Sequence, residues 1–141
     1  MEEGKSIDKI QIGDSASFSK TITESDIILY AGITGDFNPL HMNEEFAKGT
    51  IFEGRVAHGG MTMGLISSVL GNKLPGTGTI ILEMFCKFKA PVRIGDAITT
   101  RIAVREKITE KNILKLETCC TNQEGTEVII GEAVVMPPRK N

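Results

Sequence analysis

The chain has 141 residues, of which 40% are apolar and 24% charged, with a formal net charge of −2; this describes one domain (1–141) able to bury a core without metal or disulfide staples. That balance gives no reason to expect nucleic acid, which favours a strongly basic face, or polybasic membrane attachment. The lead-in MEEGKSIDKIQIGD has no apolar core of a secretory signal, no run spans a bilayer, and the three cysteines are an odd number, so reduced thiols and a cytoplasmic location are expected.

After the polar lead-in (1–14), SASFSKTI (15–22) reads as a short strand. Thr23-Glu24-Ser25-Asp26 offers N-cap oxygens and early acidic residues, so a helix is predicted to begin there. Ile27, Tyr30 and Ala31 share one of its faces, and Gly35 is a natural stop. GDFNPLH (35–41) is predicted as a loop, because the Asn-Pro step opposes a regular helix. Asn43 can cap a short helix over NEEFAKG (43–49), and TIFEGRVAHGG (50–60) is a glycine-punctuated connection. MTMGLISSVLGN (61–72) is apolar on almost every side, the pattern of a helix wrapped by other structure.

The second half supplies the wrapping. TIILEMFCKFK (79–89), DAITTRIAVRE (96–106), NILKLETCCT (112–121) and EVIIGEAVVM (127–136) read as strands. In the second of these, Ile98, Ile102 and Val104 face one way and Thr99, Arg101 and Arg105 the other. Asn122–Gly125 is a turn signal. Cys119 and Cys120 should point to opposite faces of their strand, and nothing near them has zinc-ligand spacing, so no metal and no cofactor are expected. The fold class is α+β, an antiparallel sheet curled around one central helix.

Asp36 and His41 flank the Asn-Pro step, and together they can handle protons near neutral pH. Pro39 and Asn38 stiffen the segment between them, as a preorganised pair requires. An ordinary capped turn is the other reading of the same spacing. Ala57-His58-Gly59-Gly60 precedes the apolar helix, whose first amides have no intrahelical partner and suit an oxyanion. The glycines also serve simply to turn the chain. His58 reads as a structural histidine bonding a nearby carbonyl, or as a second catalytic group. Ser67, Ser68 and Leu70 lie further along the helix, where they line an acyl tunnel or, for Leu70, fill the core. No Walker-type loop or GxSxG elbow occurs.

The continuous stretch Tyr30-Ala-Gly-Ile-Thr-Gly-Asp36-Phe-Asn-Pro-Leu-His41, with Ala47 after it, resembles the signature of the MaoC-like (R)-specific enoyl-CoA hydratases, the hydratase 2 group. Ala57-His58-Gly59, Leu74-Pro75-Gly76 and Phe88-Lys-Ala-Pro91-Val-Arg-Ile-Gly95-Asp96 add to the likeness, which covers about residues 10–137. The resemblance implies a hot dog fold, a homodimer or larger homo-oligomer, and an acyl-CoA thioester as substrate. It implies reversible syn hydration of a trans-2-enoyl-CoA to an (R)-3-hydroxyacyl-CoA, with short to medium chains favoured. Asp36 and His41 are then the catalytic pair, and the Gly59 amide holds the thioester oxygen. Asn38 orders the loop or a catalytic water, and Ser67, Leu70 and Val135 bound the acyl pocket. Lys87, Lys89 and Arg93 are candidates to meet CoA phosphates, or form a solvated charged edge. Other dehydratases acting on acyl-CoA or acyl carrier protein, acyl-CoA thioesterases and non-catalytic acyl-CoA-binding subunits share such a scaffold.

Overall fold

The computed structural model describes residues 2–140. Strand β1 (Ser15–Thr21) leads into helix α1 (Glu24–Thr34), followed by the short helices α2 (Pro39–Met42) and α3 (Glu44–Lys48). The long helix α4 (Gly59–Asn72) comes next, then β2 (Ile80–Phe88), β3 (Ala97–Ile108), β4 (Ile113–Thr121) and β5 (Glu127–Met136). The five strands form one antiparallel sheet in the order β1-β3-β4-β5-β2. Helix α4 packs mainly against β3 and also meets the two edge strands, β1 and β2.

Local chemistry explains the element boundaries. The Thr23 hydroxyl accepts from the Asp26 amide while the Asp26 carboxylate accepts from the Thr23 amide, a reciprocal capping box that starts α1. Gly35 ends α1 in the left-handed region, with φ 78°. The expected loop at 35–41 contains one helical turn. Pro39 is its first residue, where a missing N–H costs nothing, and Asn38 caps it by accepting from the Leu40 amide at 3.1 Å. Asn43 caps α3 as expected.

Helix α4 is less enclosed than its apolar sequence suggests. Thr62, Ile66, Val69 and Leu70 are buried against the sheet, but Gly64 and Ser67 are exposed. The buried set from the sheet comes from alternating positions: Ile98, Ile102 and Val104 on β3, Leu114, Leu116 and Cys120 on β4, Ala133 and Val135 on β5. Cys120 is buried and Cys119 half-buried, as their alternation requires. Near the start of β5 the alternation breaks. Cys120 pairs with Ile129 and Thr121 with Glu127, so Val128 is an extra residue and both Val128 and Ile129 are buried. Among the described residues no helix is long and apolar enough to cross a membrane.

Candidate active site

The segment after α1 brings Asp36 to the N-terminal end of α4. Asp36 is exposed; its amide donates to the Thr34 hydroxyl and its Oδ1 accepts from the Asn38 amide, both at 3.2 Å. One carboxylate oxygen thus sets the turn and the other is outside it. His41 sits on α2 with Nδ1 2.7 Å from the Val56 carbonyl oxygen. A carbonyl only accepts, so Nδ1 carries the proton and a neutral His41 has its lone pair on Nε2.

His58, the N-cap residue of α4, is 1% exposed. Its Nε2 donates to the Asp36 carbonyl at 2.9 Å, and its ring centroid is 4.0 Å from that of His41 and 4.7 Å from that of Tyr30. Asp36, His41 and His58 each offer a ligand atom within 4.8 Å of the others, close enough for a cation. Both imidazoles, however, already commit one nitrogen to a carbonyl, and the remaining Nδ1 of His58 is buried. Each imidazole thus keeps one nitrogen free of protein partners, His41 Nε2 beside Asp36 and His58 Nδ1 in the interior.

Helix α4 starts at Gly59. The Met61 and Thr62 amides turn to the His58 carbonyl, at 3.1 and 3.4 Å, while those of Gly59 and Gly60 have no protein acceptor among the described residues. The two glycines are needed for close approach. A Cβ at Gly59 would lie 2.6 Å from the Phe88 ring, and one at Gly60 would lie 2.1 Å from the Tyr30 hydroxyl oxygen.

A cleft of about 500 Å³ opens beside these amides. His41, Gly59 and Gly60 are in its wall, with Leu40, Phe52 and Phe88 among the apolar groups that face it, and the adjacent bulge residues Val128 and Ile129 close one side. Thr62 also lines it, fully buried, with a hydroxyl that bonds no protein atom. Asp36 stands next to His41, outside the wall proper. Two arginines brace this corner. Arg55 donates to the His41 carbonyl at 2.6 Å and holds both oxygens of Glu24 on α1 at 2.9 Å. Arg93 reaches the carbonyls of Phe52 and Arg55, so it serves the backbone rather than an incoming phosphate. Lys89 lies in the cleft wall, whereas Lys87 faces the outer side of the sheet with Glu117 and Glu132.

Three expected pocket residues lie elsewhere. Leu70 and Val135 are fully buried in the core and are not part of the cleft wall. Leu70 is eight residues beyond Thr62 on the same helix, about 12 Å deeper at 1.5 Å per residue. Ser67 is exposed, off the buried face of α4. Asn38 also stays out of the wall; its side chain caps α2. In their place stand Phe52, Thr62, Phe88, Val128 and Ile129. Of these, the sequence singled out only Phe88, as the first residue of the family-like stretch Phe88–Asp96, and the β5 bulge has no local signature.

A five-stranded antiparallel sheet packed on one long helix, with Asp36 and His41 near that helix's N-terminus, is the hot dog arrangement. The profile described as "MaoC like domain" matches residues 9–125, and the chain belongs to that family. It is 50% identical over 131 residues to an (R)-specific enoyl-CoA hydratase of Rhodospirillum rubrum, covering 93% of this chain and 90% of that one. It is 44% identical to a 3-hydroxybutyryl-CoA dehydratase of Methylorubrum extorquens, covering 93% and 83% of the two chains. Among solved structures, the (R)-hydratase of A. caviae involved in PHA biosynthesis superposes with a TM-score of 0.89 at 37% identity, covering 92% of this chain and 98% of that one. The R-hydratase PhaJ1 of Pseudomonas aeruginosa gives 0.91 at 36% identity, over 97% and 88%.

Proposed function

We propose that the chain is an (R)-specific enoyl-CoA hydratase, adding water reversibly to a trans-2-enoyl-CoA. The observation that carries this reading is the placement of two proton acceptors, the free Asp36 oxygen and His41 Nε2, beside a cleft whose wall includes the unpartnered Gly59 amide. Both acceptors can take hydrogen bonds from one water, which leaves its oxygen lone pairs for the β-carbon. The oxygen forms the C–O bond, one water proton passes to the pair, and the pair delivers a proton to the α-carbon on the same face. Asp36 and His41 end as they began, and they act as one coupled proton store. Negative charge that moves onto the thioester oxygen is met by the Gly59 amide and the positive end of α4. The apolar walls suit a short to medium acyl chain, and dehydration is the same path reversed.

Support for a homodimer comes from β2. It is an edge strand, and Ile80, Leu82, Phe85 and Phe88 on it are exposed. An apolar free edge is a pairing surface. The three cysteines are all unpaired, consistent with a cytoplasmic enzyme.

The test is direct. With crotonyl-CoA the enzyme should bleach the conjugated thioester's ultraviolet absorbance, release no free thiol and yield the (R)-3-hydroxy product. Thiol release points to a thioesterase instead, and an (S) product contradicts the assignment.

A further inference from the structure

We propose that His58 is a positioning residue that sets the distance between the acid/base segment and the N-terminus of α4; this rests on the hydratase reading above. The argument starts from how Gly35–Asn38 is held. The hydrogen bonds made by that segment run to α1, to itself or into α2: Gly35 amide to Ala31, Phe37 amide to Gly35, Asp36 amide to Thr34, and the Asn38 contacts. One bond among the described residues reaches outside, from His58 Nε2 to the Asp36 carbonyl at 2.9 Å across 22 positions of sequence.

The side chain that makes this bond belongs to the residue next to Gly59. One imidazole therefore ties the proton-handling segment to the helix end that carries the oxyanion amide. The ring is 1% exposed and does not line the cleft, so it has no route to substrate. It is also packed between two neighbours, with centroids at 4.0 Å to His41 and 4.7 Å to Tyr30. Its orientation is thus doubly fixed, and the buried bond is made where water cannot replace it. Bonding to a carbonyl sets the tautomer: the proton is on Nε2 and Nδ1 is bare. Without the bond, Asp36 is left on a segment fastened only to its own neighbours. A displacement of about 1 Å in a reacting group costs on the order of 100-fold in rate.

The test compares His58→Leu, which cannot donate, with His58→Gln, whose amide can. On crotonyl-CoA, His58→Leu should lower kcat about 100-fold with KM changed less than about threefold, and His58→Gln should recover at least about tenfold of that loss. ¹⁵N spectra of the wild type should show the Nε2–H tautomer for His58, and backbone order parameters at Asp36 and Phe37 should fall in His58→Leu. Full kcat and unchanged order in folded His58→Leu overturn the proposal, as does an Nδ1–H tautomer. If His58→Leu does not fold, His58→Gln and the wild-type tautomer decide: less than about a hundredth of wild-type kcat in the glutamine variant, or the other tautomer, refutes it. A wild type that hydrates nothing, yet whose Asp36 segment loosens in His58→Leu, defeats the hydratase reading and leaves the tether standing.

Discussion

The Nδ1 of His41 lies 2.7 Å from the carbonyl oxygen of Val56, and that contact determines which nitrogen is available for chemistry. With Nδ1–H donating backward, Nε2 is free to accept, alongside the Asp36 oxygen that does not set the turn. His41→Gln and Asp36→Asn should each lower hydration of crotonyl-CoA by about 100-fold or more. Neither change removes a buried apolar group, so melting temperatures should stay close to that of the wild type. The double variant should be little worse than either single one, because the two groups act as a unit. Steady-state rates beside thermal unfolding check all three. Near-normal turnover in either single variant removes the assigned roles.

Gly60 and Tyr30 offer a test by rescue. A Cβ at Gly60 would meet the Tyr30 hydroxyl oxygen at 2.1 Å but the ring carbon behind it only at 3.2 Å. Gly60→Ala should destabilise the fold, with overpacking of this kind costing about 1–3 kcal/mol. Adding Tyr30→Phe removes the atom in conflict and should restore most of that stability, because alanine is otherwise the better helix former. A double variant no more stable than Gly60→Ala would locate the strain elsewhere.

The elements were readable in the sequence because their signals are local: the Thr23 cap, the Gly35 stop, strand alternation and the Asn122–Gly125 turn. Asp36, His41 and Gly59 stood out as candidates for a similar reason, since they fall within one short span of chain. The helical turn at Pro39–Met42 was hidden, because proline opposes a helix everywhere except at its first turn. The cleft wall was hidden for a different reason. Phe88, Val128 and Ile129 reach it through strand pairing and a bulge, which are long-range facts. Leu70 and Val135 lie in the core and outside the wall of this cleft, a difference that apolar character alone does not signal.

That last distinction can be measured. Leu70 is 0% exposed, so Leu70→Ala should lower stability by about 2–5 kcal/mol, the range for a large aliphatic side chain lost from a packed core. Ser67→Ala, on the exposed side of the same helix, should stay within about 0.5 kcal/mol. Denaturant titrations of the two variants give both numbers. A small loss at Leu70 would place it in open space after all.

Cys120 links stability to alkaline pH. Burial pushes its thiol up from 9.0 to about 11, against a smaller opposing pull from the bond to the Thr100 hydroxyl. The folded state thus favours the neutral thiol. The stability this gives is present below the unfolded value near 9 and is lost as pH rises toward 11. Melting temperature should fall over that window in the wild type and fall less in Cys120→Ala. Burial also raises Cys86 and Cys119, but both are only half-buried, so at pH 8 a thiol reagent should reach them before Cys120.

The free edge of β2 allows assembly to be tested against activity. Leu82 sits at the irregularity between Ile81 and Glu83, on the outermost strand, with its side chain exposed. Phe88, six residues along the same strand, packs against Gly59 in the cleft wall. If two copies join along this edge, the pairing also steadies Phe88 and through it the start of α4. The wild type should therefore sediment as a dimer, and Leu82→Lys as a monomer, because a charge on an exposed edge opposes pairing. Hydration should fall with dissociation and return as protein concentration is raised, since pairing follows mass action. Sedimentation velocity and crotonyl-CoA turnover measured over one dilution series test both halves. A monomeric wild type removes the dimer, and a monomeric Leu82→Lys with undiminished turnover separates assembly from the site.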